Sequence, residues 1–180
     1  KIKAEKIIIS NCKKLGINYA ILRYFNACGA SPSGKIGLIE KTDSLFKNIA
    51  IEIMKKKPII KIYGNDYNTL DGTAIRDYIH VSDLAEIHEK ILKKISKFNI
   101  SGVFNCGYHR GISVKEVINE FKKQVNKKIR ISYQKRRAGD LAVVIGNNKK
   151  LKKIINWKSR YYNLSKIVKS CIRWEKVINK

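Results

Sequence analysis

Three short segments carry residue types suited to gripping a negatively charged ligand: Arg23-Tyr24-Phe25-Asn26, the run from Asp71 to Val81, and Arg136-Arg137-Ala138-Gly139-Asp140. Each contributes an arginine at a strand end or in a loop, where a scaffold presents functional groups. A guanidinium binds phosphate through two parallel charge-assisted hydrogen bonds, so Arg76 and Arg137, from separate loops, suit a diphosphate clamp. The same arginines would serve in surface ion pairs with Asp77 and Asp140, and residue types alone leave that choice open. Tyr78 and His80 read as packing and loop-ordering groups. His88 and His109 read as exposed, with no triad or metal partner nearby. Cys12, Cys28, Cys106 and Cys171 form no C-x-x-C pair and no zinc-ligand cluster, so free thiols, buried or half-buried in a reducing cytoplasm, are expected.

These segments need rigid elements to hold them. Apolar positions at Ile2, Ile7 to Ile9 and Cys12 predict a helix over residues 1–15, closed by Gly16 in a left-handed cap. Ile17 to Phe25 then reads as a buried strand. A Gly/Ser/Pro loop leads to a helix over residues 44–56, ended by Pro58 and followed by a strand at Ile59 to Tyr63. Arg76 to Val81 has extended character. Ser82 is expected to cap a helix running through Leu84, Ile87, Ile91 and Ile95. Gly102 to Cys106 is the next strand. Ser113 and Glu116 stand at capping-box spacing ahead of a helix to about Val125. A strand at 129–133, a loop at 134–141, a short helix near 149–155 and a final helix over 164–177 complete the chain. Helices alternating with short strands place it in the α/β class, as one domain or most of a larger one.

Lys and Arg number 39 against 14 Asp and Glu, a formal charge of +25. That balance raises the question of nucleic acid, but the lysines are spread singly, in pairs and in triples along every helix-like segment. A solvated basic surface is the expectation. No apolar run approaches the ~20 residues that span a bilayer, and no signal-peptide pattern opens the chain. Residue 1 is Lys, Met54 is the only methionine, and Lys1 to Ile9 reads as a helix already under way without a capping residue. A segment upstream is therefore expected.

Taken together, the motifs resemble the extended short-chain dehydrogenase family, in the branch that epimerises UDP-sugars at C4. The matching pieces occur in the family's order: Arg23 to Asn26, Gly64-Asn65-Asp66-Tyr67, Asp71 to Val81, Asn105-Cys106-Gly107 with Gly111 and Ser113-Val114, and Arg136 to Asp140. The resemblance implies an α/β chain forming the C-terminal portion of a Rossmann-type enzyme. Residues 1–180 would supply the end of the Rossmann domain and the substrate-binding subdomain, with the cofactor-binding half, its glycine-rich turn and most NAD contacts lying N-terminal to them. It also implies a UDP-sugar substrate, a cytoplasmic homodimer for the intact enzyme, and no nucleic-acid or membrane partner.

Residue roles follow from the same resemblance. Phe25 would pack near the nicotinamide and Asn26 would bond the diphosphate. Ser44 and Leu45 would lie against the uridine, Ser44 standing where the family more often has Asn or His. The strand Lys61, Ile62 and Tyr63 would read the uracil edge through backbone groups, Tyr63 adding an aromatic surface. Arg76 and Arg137 would hold the phosphates, and Asp140 would accept from a ribose hydroxyl. Val144 falls where the family varies the residue limiting sugar size, and its small side chain leaves room for an N-acetyl group. Lys1 aligns with the lysine that follows the catalytic tyrosine by four positions, lowering its pKa and bonding the nicotinamide ribose. Two alternatives stand beside this reading: another nucleotide-sugar epimerase or dehydratase of the same fold, and a non-enzymatic basic module acting on nucleic acid.

Overall fold

The computed structural model describes residues 1–40 and 42–179. Six helices and nine short strands alternate among these residues. Helix α1 (Ile2–Leu15) ends on Gly16, whose φ of 65° is the left-handed cap expected of it. Strand β1 (Ala20–Tyr24) pairs in parallel with β6 (Gly102–Cys106). The buried strand expected over residues 17–25 is shorter, ending at Tyr24 because the chain changes partner at Phe25, and its residues are only half-buried or exposed. Strand β2 (Asn26–Cys28) leaves β6 behind and pairs in parallel with β5 (Tyr78–His80).

The extended run near residue 76 divides in the same way. Strand β4 (Ile75–Arg76) lies antiparallel to β7 (Ile112–Ser113) and parallel to β9 (Val143–Val144), and Asp77 separates it from β5. Helix α2 (Leu45–Met54) precedes β3 (Ile59–Tyr63), which pairs in parallel with β8 (Arg130–Gln134). Helix α3 (Val81–Phe98) starts two residues earlier than expected. Its cap is His80, whose Nδ1 accepts from the Ser82 N–H at 3.1 Å, so Ser82 sits inside the first turn. Helix α4 (Val114–Gln124) carries the predicted capping box between Ser113 and Glu116. Helices α5 (Lys149–Ile154) and α6 (Leu164–Ile178) close the chain.

The core lies where α2, α4 and α6 pack together against the strands, around Phe46, Ile49, Phe104, Phe121 and Ile167. Burying each of these side chains stabilises the fold by about 1.5–3 kcal/mol. A charged pair is sealed within this layer. Lys47 of α2 donates to Glu175 of α6 at 2.5 Å, and both side chains are almost fully buried. Lys47 also donates to the Leu38 carbonyl at 2.7 Å, and the Trp174 indole N–H donates to the same carbonyl at 2.9 Å, which pins the loop ahead of α2. Of the cysteines, Cys28, Cys106 and Cys171 are buried and Cys12 is half-buried, all as free thiols. Burial pushes the Cys106 and Cys171 thiols up to about 12.

Candidate functional site

A cleft of about 860 Å³ opens between α2 and β3 and is closed at one end by β4 and the loop after β8. That is within the range of small-molecule sites, roughly 300–1,000 Å³. Ser44 and Leu45 come from the start of α2, Lys61 and Tyr63 from β3, Arg76 from β4. Arg137 and Asp140 come from the loop, and Asn26 stands at the end of β2. Residues as far apart in sequence as Asn26 and Asp140 thus share one space, and the two arginines singled out by their chemistry line it together.

Strand β3 offers the cleft more than side chains. Pro58 C=O accepts from the Arg130 N–H, and the Gly64 N–H donates to Gln134 C=O, so even-numbered residues turn their backbone groups toward β8. Backbone groups alternate with period two along a strand, and β8 is the partner of β3 among the described residues. The N–H and C=O of Ile59, Lys61 and Tyr63 are therefore left at the open edge. Ile62 is placed differently from the other two residues assigned to this strand. Its side chain is in the core and its backbone groups serve β8, so it supports the edge from behind.

The two neighbouring arginines of the late loop have separate tasks. Arg136 turns toward the Gly64–Tyr67 turn, donating to Asp66 at 2.7 Å and lying over the Tyr67 ring at 4.3 Å. This contact holds the Asp66 carboxyl below the usual carboxylate range. Arg137 turns the other way, its guanidinium 4.3 Å above the Tyr63 ring within the cleft. Arg76 reaches Asp140 across the cleft mouth at 3.4 Å. That pair is one of the two surface pairs left open by sequence.

The other does not form. Asp77 is fully buried and accepts backbone N–H bonds from Tyr108 at 2.9 Å, His109 at 3.0 Å and Gly146 at 3.2 Å. Burial pushes its carboxyl up, although these donors favour the charged form. A Cβ on Gly107 would lie 2.5 Å from the Asp77 carboxylate, so only glycine lets that loop close over it. The Asp77 carbonyl accepts from both the backbone N–H and the side-chain amide of Asn26, each at 3.1 Å. One amide proton of Asn26 remains for a ligand. Gly146 is drawn so close to Phe25 that a Cβ there would lie 2.3 Å from the ring.

The long Asp71 to Val81 run is mostly support. Asp71 accepts from the Thr73 N–H at 2.8 Å, from the Thr73 hydroxyl at 2.6 Å and from the Ser113 hydroxyl, tying the turn to the start of α4. Burial alone would raise its pKa, but these hydrogen bonds outweigh it and hold the carboxyl low. Tyr78 and His80 are buried, as their reading as packing groups predicts, and His88 and His109 are exposed. Burial pushes the His80 imidazole down. Among the described residues no cluster of His, Cys, Asp and Glu is suited to a metal ion. No helix among them is long and apolar enough to cross a membrane.

Besides Ile62, three of the singled-out residues stand outside the cleft lining. Phe25 is half-buried at the junction of β1 and β2, Val144 pairs with Arg76 behind the cleft wall, and Lys1 is exposed at the start of α1. Conversely, the lining includes Thr42, Asp43, Asn48, Glu52 and Ile59, which sequence reasoning passed over. Asn48 and Glu52 follow Leu45 by three and seven positions, the repeat of one helix face, so that signal was available.

Parallel strands joined by helices, with a cleft that gathers Lys61, Arg76 and Arg137 beside an open strand edge, make this an α/β protein. Comparison with known proteins agrees. The NAD dependent epimerase/dehydratase family matches residues 1–107, and the chain belongs to that family. UDP-glucose 4-epimerase of Halalkalibacterium halodurans is 37% identical over 177 residues, covering 98% of this chain and 53% of that protein. The crystal structure of UDP-glucose 4-epimerase from Stenotrophomonas maltophila, with bound NAD and formylated UDP-arabinopyranose, superposes with a TM-score of 0.93 at 30% identity, over 99% of this chain and 54% of that one. The enzyme from Bifidobacterium longum, in complex with NAD+ and UDP, gives 0.84 at 32% identity over 98% and 53%. The chain spans about half the length of the relatives it matches.

Proposed function

We propose that residues 1–180 are the C-terminal, substrate-gripping portion of an NAD-dependent UDP-sugar 4-epimerase. The observation that carries this reading is the meeting of Arg76 and Arg137 in one cleft beside the open edge of β3. Relatives named as UDP-glucose 4-epimerases, and a related structure holding UDP, support the choice of ligand.

Arg76 and Arg137 hold the diphosphate by paired charge-assisted bonds. Arg137 leaves the Tyr63 ring to do so, which frees that ring for the uracil. The backbone N–H and C=O of Lys61 and Tyr63 meet the base edge. Asp140 exchanges Arg76 for a ribose hydroxyl, Ser44 and Leu45 flank the uridine, and Asn26 gives its remaining amide proton to the diphosphate. Val144, behind Arg76, bounds the sugar end and leaves space for a substituent at C2 of the sugar.

Toward NAD this portion presents little: Phe25, fixed by Gly146, and Lys1 at an exposed helix start. These fit an edge contact to a nicotinamide ribose and ring, with the remaining contacts supplied from outside residues 1–180. NAD supplies hydride exchange at C4 of the sugar when bound. In the intact enzyme Lys1 lowers the pKa of a neighbouring tyrosine that takes the 4-hydroxyl proton. That enzyme is cytoplasmic and pairs as a homodimer.

Isothermal titration with UDP tests the reading. The wild-type chain binds UDP, and Arg76→Ala and Arg137→Ala each weaken it by about tenfold or more, the worth of a hydrogen bond to a charged group. Binding of UDP that ignores both substitutions would remove the diphosphate clamp.

A further inference from the structure

Asn48 stands one helical turn past Leu45 on the same face of α2, and it lines the cleft beyond the residues given roles above. Its side-chain oxygen is buried, and no hydrogen-bond partner reaches it among the described residues. Buried polar atoms are nearly always partnered, and leaving one unpaired costs about 1–3 kcal/mol. The wall around it offers no relief. Ile51 and Ile59 are apolar, and the Glu52 carboxylate, paired with Lys55, has no proton to give an amide oxygen.

The direction of the cleft says what would reach this atom. Arg76, Arg137 and Tyr63 define a cationic end. From Tyr63 to Ile59, β3 runs about 13 Å toward the opposite end, at roughly 3.3 Å per residue. Because α2 runs into β3 through a short turn, the start of α2 lies beside the Tyr63 end of β3, and Asn48 in its first turn stands opposite the open edge near Lys61 and Tyr63. A nucleotide fixed by its phosphates at the arginines extends its ring into that gap. We infer that Asn48 is a base-contacting residue, whose amide meets the ring edge of the uridine from the helix side while β3 meets it from the strand side. An asparagine amide can turn over, so it presents either an acceptor to a ring N–H or a donor to a ring carbonyl. The inference rests on the cleft being the UDP site and adds to it a second reader of the base.

The test uses this chain and titrates wild type, Asn48→Leu and Asn48→Ala with UDP and with inorganic pyrophosphate. Leucine is close in shape and carries no polar atom, and alanine covers the case in which leucine packs badly. Both variants are expected to weaken UDP about tenfold, the equivalent of about 1.4 kcal/mol, and to leave pyrophosphate affinity unchanged. Without ligand, Asn48→Leu is expected to melt higher than wild type by on the order of 2–4 °C, because the buried unpaired atom is gone. A base-reading role is overturned if UDP affinity is unchanged in both variants, or if pyrophosphate weakens as much as UDP. A wild-type chain that binds pyrophosphate but has no preference for UDP would sink the nucleotide reading itself, whereas wild-type UDP binding with indifferent variants removes Asn48 alone.

Discussion

Helices α1 and α6 are nearly equal in length, 14 and 15 residues, and both repeat apolar positions at helical spacing, yet their surroundings differ. Helix α6 buries seven residues, including Ile167, Val168 and Trp174, against α2 and α4. Helix α1 buries none, and Ile2, Ile7, Ile8 and Leu15 stand exposed, Ile2 at 71%. Amphipathic spacing states that a face favours burial and is silent about what covers it. The ion pairs follow the same division. Lys47 and Glu175 are sealed between α2 and α6, whereas Glu5 of α1 meets an Arg23 that is half exposed at the surface. One side of the molecule is a finished core that holds the cleft, and the other is an open face.

The largest expected effect tests the sealed side. Glu175→Ala leaves the Lys47 ammonium buried with a single carbonyl partner and should lower the unfolding free energy by about 3–5 kcal/mol in urea melts. Replacing both residues, Lys47→Met with Glu175→Leu, should recover most of that loss. A double variant as unstable as the single one would show that the pair does more than satisfy itself.

Cavity formation separates the two helices next. Ile167→Ala on α6 should cost about 2–5 kcal/mol, and Ile7→Ala on α1 less than about 0.5 kcal/mol. Equal losses would mean that α1 is covered in solution.

Acid titration gives the smallest contrast. The Asp71 carboxyl is held below its ordinary value, so its contribution is present above the unfolded aspartate pKa of about 3.9 and is lost as pH falls through the lower folded value. Asp71→Asn should therefore flatten the acid limb of the stability profile. Glu5 is also lowered, by Arg23, but its partner is half exposed and screened by solvent, and Glu5→Gln should flatten the acid limb less than Asp71→Asn. An acid limb that Asp71→Asn does not alter would place the acid sensitivity elsewhere.

Much of this was legible in the residues. The strands at 59–63 and 102–106 and the capping box at Ser113 follow from local pattern, because apolar alternation and side-chain capping are decided within a few positions. Strands β7 and β9 are two residues each, too short to carry a period, and their pairing with β4 is decided by distant chain. The start of α3 was displaced because an imidazole caps it in place of the serine two positions on. In the site, the arginines were legible as a set and their division of labour was not. Arg136 and Arg137 are neighbours, and only the positions of Tyr67 and Tyr63 send one to the turn and the other to the cleft. Asp77 gave no sign of burial, since its partners are backbone amides 31 to 69 positions away.

The open edge of β3 has a consequence for self-association. Unpaired backbone groups on a strand are a template on which a second polypeptide can lengthen the sheet. Lys61, exposed at the middle of that edge, places a charge where an incoming strand would have to lie. On the proposed reading a narrow ligand with its own hydrogen-bonding rim would pass beside that lysine, so the same edge that resists a neighbouring chain would still admit a small planar guest.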